Sequence, residues 1–183
     1  MLFRSHRSGY RSNPCTYFAV LDPPGSDSKP PVVLIHGGVH TGTCYLETID
    51  GRPGWAHVFA RNGYKAVVPD WAGIGRSGYI PGDKITADVV VRGLGEVLKT
   101  LDRPAIIMTH SLSGTLGWSV LERYGDHIAK VVAVAPGPPG NLIPKLNVTG
   151  GGSGEVEVQY SPGGPIMKIK LNEQFVPDVD WVK

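Results

Sequence analysis

The sequence predicts an α/β fold, a mostly parallel sheet with flanking helices, and three observations carry that reading. Four short runs are continuously apolar and rich in β-branched residues: Val32-Val33-Leu34-Ile35, Ala66-Val67-Val68, Ala105-Ile106-Ile107-Met108 and Val131-Val132-Ala133-Val134. A run without polar alternation suits a parallel strand covered on both faces. Helical patterns lie between the runs, and strand, helix, strand in repetition calls for right-handed crossovers. Glycine and proline, 25 and 16 of 183 residues, fall in clusters between these segments and punctuate them. Together they stay below the ~25–30% that marks low complexity, so the chain is expected to be loop-rich but folded.

The elements follow in order. In residues 1–30, Arg4, Arg7 and Arg11 precede the first acid, Asp22. We read this N-terminal segment as frayed and solvated, in preference to a weak organelle-targeting signal. The prolines between Pro23 and Pro31 separate it from the first apolar strand. A short helix is expected over Trp55 to Arg61, stopped by Asn62-Gly63. Thr86 is placed as the N-cap of a helix reaching about Leu101, whose Val90, Leu94, Val97, Leu98 and Leu101 share one stripe. A third helix is expected from about Leu112 to Tyr124, closed by Gly125.

After Ala135 the texture changes. Pro136-Gly137-Pro138-Pro139-Gly140 breaks the chain, and Thr149 to Gly154 reads as a flexible loop. Glu155 to Tyr160 and Ile166 to Leu171 each alternate with period two, which argues a β-hairpin. Glu155 and Glu157 would face Lys168 and Lys170 across it, pairing opposite charges. The chain thus divides into an N-terminal segment (1–30), an α/β core (31–141) and a loop-and-hairpin segment (142–183), the last a cap, a lid or an extra sheet edge.

Composition excludes several classes. A formal net charge of +2 provides no large basic field for nucleic acid. No apolar run approaches the ~20 residues of a membrane span, and no secretory h-region is present. Cys15 and Cys44 are too few for a disulfide scaffold, and reduced cysteines in a cytoplasmic protein are expected. Asn147-Val148-Thr149 matches a glycosylation acceptor but carries little weight without an export signal.

The chemistry concentrates at two strand ends. Thr109-His110-Ser111-Leu112-Ser113-Gly114 stands directly after the third buried run and directly before a helix. This is G-x-S-x-G with Thr109 and Ser113 at the outer small positions. A serine on so tight a turn is lifted above the sheet edge, where the Leu112 amide and the helix N-terminus favour a developing oxyanion. Ser111 is therefore the candidate nucleophile; Ser113 falls inside the first helical turn and is taken as a packing residue. His36-Gly37-Gly38-Val39-His40 follows the first run in the same way, and its glycines let backbone amides approach a ligand closely. Gly38 is the candidate second oxyanion donor. A metal site at His36 and His40 is disfavoured, because their spacing of four suits a helix and not a glycine-rich loop. No metal or other cofactor is implied.

With Asp70-Trp71-Ala72-Gly73-Ile74-Gly75-Arg76-Ser77 after the second run, residues 31–141 resemble the N-terminal part of an α/β-hydrolase. Thr41 to Tyr45 and Asp50 to Trp55 make the chain more particularly similar to a group of capped serine esterases. The resemblance implies a carboxylic ester substrate, Ser111 as nucleophile, Gly38 and Leu112 as oxyanion hole, and a triad completed by an acid and then a histidine. In that group the acid is a glutamate just after the strand following the nucleophile helix, a place that Ala135 holds here. The last histidine is His127, before that strand, and His110 is expected to point away from Ser111 and to be structural. No base is visible, and an alcohol needs one to lose its proton.

The expectation is therefore a truncated or shortened hydrolase, or one completed by a homodimer or a complementing chain. Glu155, Glu157, Asp178 and Asp180 are not ranked as replacement acids. An incomplete sheet would leave an exposed edge, predicting dimerisation, low stability or an absent partner segment. Two other readings compete. Gly73 to Gly78 spells G-x-G-x-x-G, but Tyr79-Ile80-Pro81-Gly82 follows instead of a helix, and Asp88 is too close for a ribose acid. Asp70 is taken as a loop-ordering carboxylate. The stronger alternative is a non-catalytic binding protein on the same fold, for a small molecule or a partner.

Overall fold

A computed structural model describes residues 3–8, 16–25, 28–137, 156–161 and 164–169. The chain divides into two compact units, residues 1–143 and 144–183. The first holds six strands: β1 (Phe3–Ser8), β2 (Thr16–Leu21), β3 (Val32–Ile35), β4 (Ala66–Pro69), β5 (Ala105–His110) and β6 (Ile128–Val134). Its helices are α1 (Thr43–Leu46), α2 (Trp55–Arg61), α3 (Ala87–Lys99) and α4 (Leu112–Tyr124). The strands lie in the order β1-β2-β4-β3-β5-β6. β4, β3, β5 and β6 run parallel, and β1 and β2 extend the sheet antiparallel.

The uninterrupted apolar runs are explained by the two faces they serve. Val33, Ile35, Val67 and Ile107 pack with α3 and α4, whereas Val32, Leu34, Ala66, Val68 and Met108 pack with Tyr45 and with Ala56 and Ala60 of α2. Each strand must be apolar on both sides because helices cover both. α3 buries Val90, Val91, Leu94, Val97 and Leu98. At ~2 kcal/mol per side chain that is about 10 kcal/mol of gross burial. Its cap, the Thr86 hydroxyl accepting from the Val89 amide at 3.3 Å, adds about 1 kcal/mol. Burial therefore places this helix, and the cap sets where it starts.

Two expectations are corrected. The N-terminal segment is not frayed: β1 and β2 pair from Phe3↔Leu21 to Ser8↔Thr16, and β2 docks on β4 from Phe18↔Pro69 to Leu21↔Ala66. Five of the six β2 residues are buried. The run Tyr17-Phe18-Ala19-Val20-Leu21 is as apolar as the four strands that were identified. Secondly, β6 is not covered on both faces. Among the described residues it is the edge strand, intermediate or exposed along its whole length, with Val132 39% exposed. α4 ends at Gly125 as its sequence pattern indicates. The φ of this glycine is −52°, and the chain continues into a 3-10 turn over Gly125–His127.

In the second unit, β7 (Val156–Ser161) and β8 (Gly164–Ile169) pair antiparallel as a two-stranded sheet. Glu157 stands opposite Lys168 in the register. Arg11, Cys15, Asn147, the loop 149–154, Glu155, Lys170, Asp178 and Asp180 lie outside the described residues.

Candidate active site

Ser111 joins β5 to α4 with φ 54° and ψ −123°, a left-handed backbone that a non-glycine residue adopts only under strain. The residue is exposed, and among the described residues no hydrogen bond engages its hydroxyl. Three backbone bonds fix the turn. The Ser111 amide donates to the Val134 carbonyl at 3.1 Å, and the Ser111 carbonyl accepts from Gly114 at 2.9 Å and Gly137 at 2.8 Å.

The departures from glycine at the outer motif positions have local explanations. Thr109 is buried against Gly117, where an added Cβ would lie 2.7 Å from the threonine methyl. A glycine one helical turn further on thus makes room for the threonine. Ser113 is fully buried, and its hydroxyl bridges two strand ends. It accepts from the His110 amide at 2.7 Å and lies 3.0 Å from the Ile35 carbonyl, the last of β3, and 2.9 Å from that of His110, with one proton to share between them. The buried Tyr45 hydroxyl also donates to Ile35, at 3.3 Å, and burial pushes that phenol up to about 12. Ser113 is thus more than filler: it ties the turn at residue 111 to the strand that launches the glycine loop.

That loop lies on the same rim. A Cβ on Gly37 would stand 3.0 Å from His110 Nδ1 and 3.2 Å from Ser111 Cβ, and one on Gly38 would stand 3.1 Å from Leu112 Cδ2. Gly37 and Gly38 are the residues that permit this approach. Val39 follows with φ 56° and its side chain fully in solvent. A left-handed backbone costs an L-residue about 1–2 kcal/mol, and Val39 recovers none of this by packing.

His36 is wholly buried and stacks on Trp71, ring centroids 4.8 Å apart. Its Nδ1 donates to the Gly37 carbonyl at 2.8 Å and its Nε2 accepts from the Trp71 amide at 3.2 Å, an arrangement that a neutral ring satisfies. Burial pushes its pKa down, against the opposing pull of the Gly37 bond and Asp70. Both nitrogens are committed, which removes His36 from metal binding and from proton transfer. The His110 ring packs beside Gly37, and His127 lies in the turn that starts β6, at the other end of the strand from Val134.

Asp70 has no exposed surface and accepts four bonds: from Gly42 N at 2.7 Å, Arg76 N at 2.7 Å, Arg76 Nε at 2.8 Å and Arg76 Nη2 at 3.0 Å. Burial alone would raise its carboxyl, but the Arg76 guanidinium and the two amides outweigh it and hold the group below the ordinary carboxylate range. Ser77 completes the knot by donating to the Asp70 carbonyl and accepting from Tyr17. The glycines at 73 and 75 serve this loop with φ 81° and 57°, and the chain leaves them through Tyr79-Ile80-Pro81 before a 3-10 turn at Gly82–Lys84, so they open no helix of their own. Asp88 sits on α3, bonded to Arg92 and Arg123.

Ala135 follows β6 with φ 42°, one residue past the carbonyl that holds the Ser111 amide. The expected acid position is therefore beside the turn and carries a methyl group. Sequence reasoning missed the roles of Val39, Tyr45 and Gly117. The first could have been found from a β-branched residue inside a glycine loop; the other two depend on contacts remote in sequence. A cavity of about 340 Å³ lined by Phe18, Val20, Lys65 and Leu101 opens at the opposite rim, beside the starts of β4 and β5, away from these residues.

A family model described as the alpha/beta hydrolase fold matches residues 30–151. The chain belongs to this family. It is 26% identical over 219 residues to a probable secreted lipase, phiG, of a fungal species (strain ATCC 74256), covering 86% of this chain and 60% of that protein. It is 25% identical over 101 residues to a carbendazim-hydrolysing esterase of a Nocardioides species (strain SG-4G), covering 55% of this chain and 39% of that protein. Among solved structures, the thioesterase domain from the curacin biosynthetic pathway matches with TM-score 0.60 at 21% identity, over 73% of this chain and 46% of that one. A predicted CIB-like hydrolase from Thermoplasma acidophilum matches with TM-score 0.60 at 20% identity, over 78% and 67%. The α/β-hydrolase fold is thereby common to all of them, and the lipase and esterase names place this chain in a hydrolase family. It spans 60% and 39% of the two named relatives' lengths.

Proposed function

We propose that the chain is a serine hydrolase of carboxylic esters, with Ser111 as nucleophile and the Leu112 and Gly38 amides as oxyanion hole. The observation that carries this reading is the exposed Ser111 in a strained left-handed turn, with Gly37 and Gly38 packed against residues 110–112. Strain held at one exposed hydroxyl is the signature of a reactive position. Ser111 Oγ attacks the ester carbonyl, its proton passes to a general base, and the carbonyl oxygen takes up charge against the two amides. The acyl-enzyme bond forms, the alcohol leaves with that proton, and water releases the acid.

All six histidines of the chain lie among the described residues, and this scheme draws its histidine base from polypeptide other than these 183 residues. Without a base and acid, the oxyanion hole and binding retain catalysis of ~10³–10⁴ over water. A second reading, a non-catalytic binding protein, is favoured by one observation: the methyl group of Ala135 at the acid position. Fluorophosphonate labelling and a p-nitrophenyl acetate burst discriminate between the two. Labelling abolished in Ser111→Ala supports the hydrolase; an unlabelled but folded wild-type chain supports the binder and overturns our reading.

A further inference from the structure

The rim beside Ser111 carries two apolar side chains that nothing in the fold requires to be exposed. Val39 stands fully in solvent and Leu112 is 46% exposed. Both adjoin Gly38: one follows it in the chain, and the other would be 3.1 Å from a Cβ placed on it. Val39 is also a β-branched residue with φ 56°, a conformation glycine or asparagine would adopt at lower cost. Exposure and strain are independent observations, and both run against stability. Backbone strain that returns no packing within the fold points to a role for Val39 outside that packing.

The geometry points to that occupant. Resting on the reading of Gly38 and Leu112 as oxyanion donors, we propose that Val39 and Leu112 form an apolar lip for the hydrocarbon part of the ester. A carbonyl oxygen within hydrogen-bond reach of both amides brings the carbonyl carbon's substituents alongside these two side chains. Neither side chain offers a hydrogen bond or a charge, so the lip takes an alkyl chain and discriminates by length. Each methylene it covers is worth about fourfold in affinity or rate.

The test compares two fluorophosphonate probes, one with a decyl chain and one with an ethyl group, on the full chain. Ser111 Oγ forms a bond to phosphorus, fluoride leaves, and the serine proton goes to solvent. The wild type is expected to react faster with the decyl probe. Val39→Gly should slow the decyl probe about tenfold and the ethyl probe far less, while melting no lower than the wild type. Equal slowing of both probes, or a lower melting temperature for Val39→Gly, overturns the lip. Calorimetric titration of Ser111→Ala with decanoate provides an arm that needs no nucleophile. Binding weakened about tenfold by Val39→Gly in that background supports the lip, and no binding, or binding indifferent to Val39, overturns it. A wild type that neither probe labels, yet binds decanoate through Val39, sinks the nucleophile and leaves the lip standing.

Discussion

Replacing Asp70 by asparagine tests how the loop after β4 is held. The carboxylate has no exposed surface and accepts from Gly42, from the Arg76 amide and twice from the Arg76 guanidinium. The side-chain amide introduced by Asp70→Asn would turn a donor toward donors and leave Arg76 without its counter-charge. Breaking a buried pair costs about 3–5 kcal/mol. Arg76 is one-third exposed, so water screens part of that loss and the lower figure, about 3 kcal/mol, applies. At 2–4 °C per kcal/mol for a chain of this size, the melting temperature should fall by about 9 °C. The pH dependence supplies the sign. Asp70 titrates below its unfolded value of ~3.9, so its stabilisation is fully present above that pH and disappears as pH falls through the lower, folded value. Thermal melts of both chains at about pH 7 and about pH 3 measure this. The gap should be wide at the first and narrowed at the second. A gap under about 2 °C at neutral pH, or one undiminished in acid, refutes the reasoning.

Ser113→Ala removes the hydroxyl that bridges Ile35 and His110 and takes away the acceptor of the His110 amide; it should cost about 2 kcal/mol and slow fluorophosphonate labelling of Ser111. Gly54→Ala would place a Cβ 2.3 Å from the Tyr45 carbonyl; a backbone atom cannot swing aside, so a loss of about 3 kcal/mol in chemical denaturation is expected. Thr86→Ala should cost about 1 kcal/mol, and loss of the cap at the start of α3 would be seen as faster amide exchange at Val89.

The helices over Trp55–Arg61 and Leu112–Tyr124 match their sequence patterns to the residue, because apolar periodicity and glycine or asparagine stops act locally. The strand-to-turn-to-helix context of Ser111 was legible for the same reason. β1 and β2 were not identified: Phe-Arg-Ser-His-Arg-Ser shows no apolar run, and its arginines suggest solvent. The exposure of β6 was hidden because burial belongs to neighbours, not to the strand; Val131-Val132-Ala133-Val134 has the composition of a central strand and the position of an edge. At the site, the sequence indicated which loops approach Ser111. It could not indicate that Gly117 makes room for Thr109, or that a single buried hydroxyl at Ser113 ties β3 to the turn.

β6 has one further consequence, for the behaviour of the protein in a tube. Lys130 is the only charged residue in a strand that otherwise reads Ile-Ala-Val-Val-Ala-Val, and it is exposed. A lone lysine on such a strand acts as a gatekeeper, because two molecules meeting along it bring like charges together. Raising the ionic strength shortens the reach of that repulsion from about 10 Å at 0.1 M to about 3 Å at 1 M. Salt, which usually loosens charge-driven association, should here promote clumping, and a Lys130→Val chain should clump even in dilute buffer.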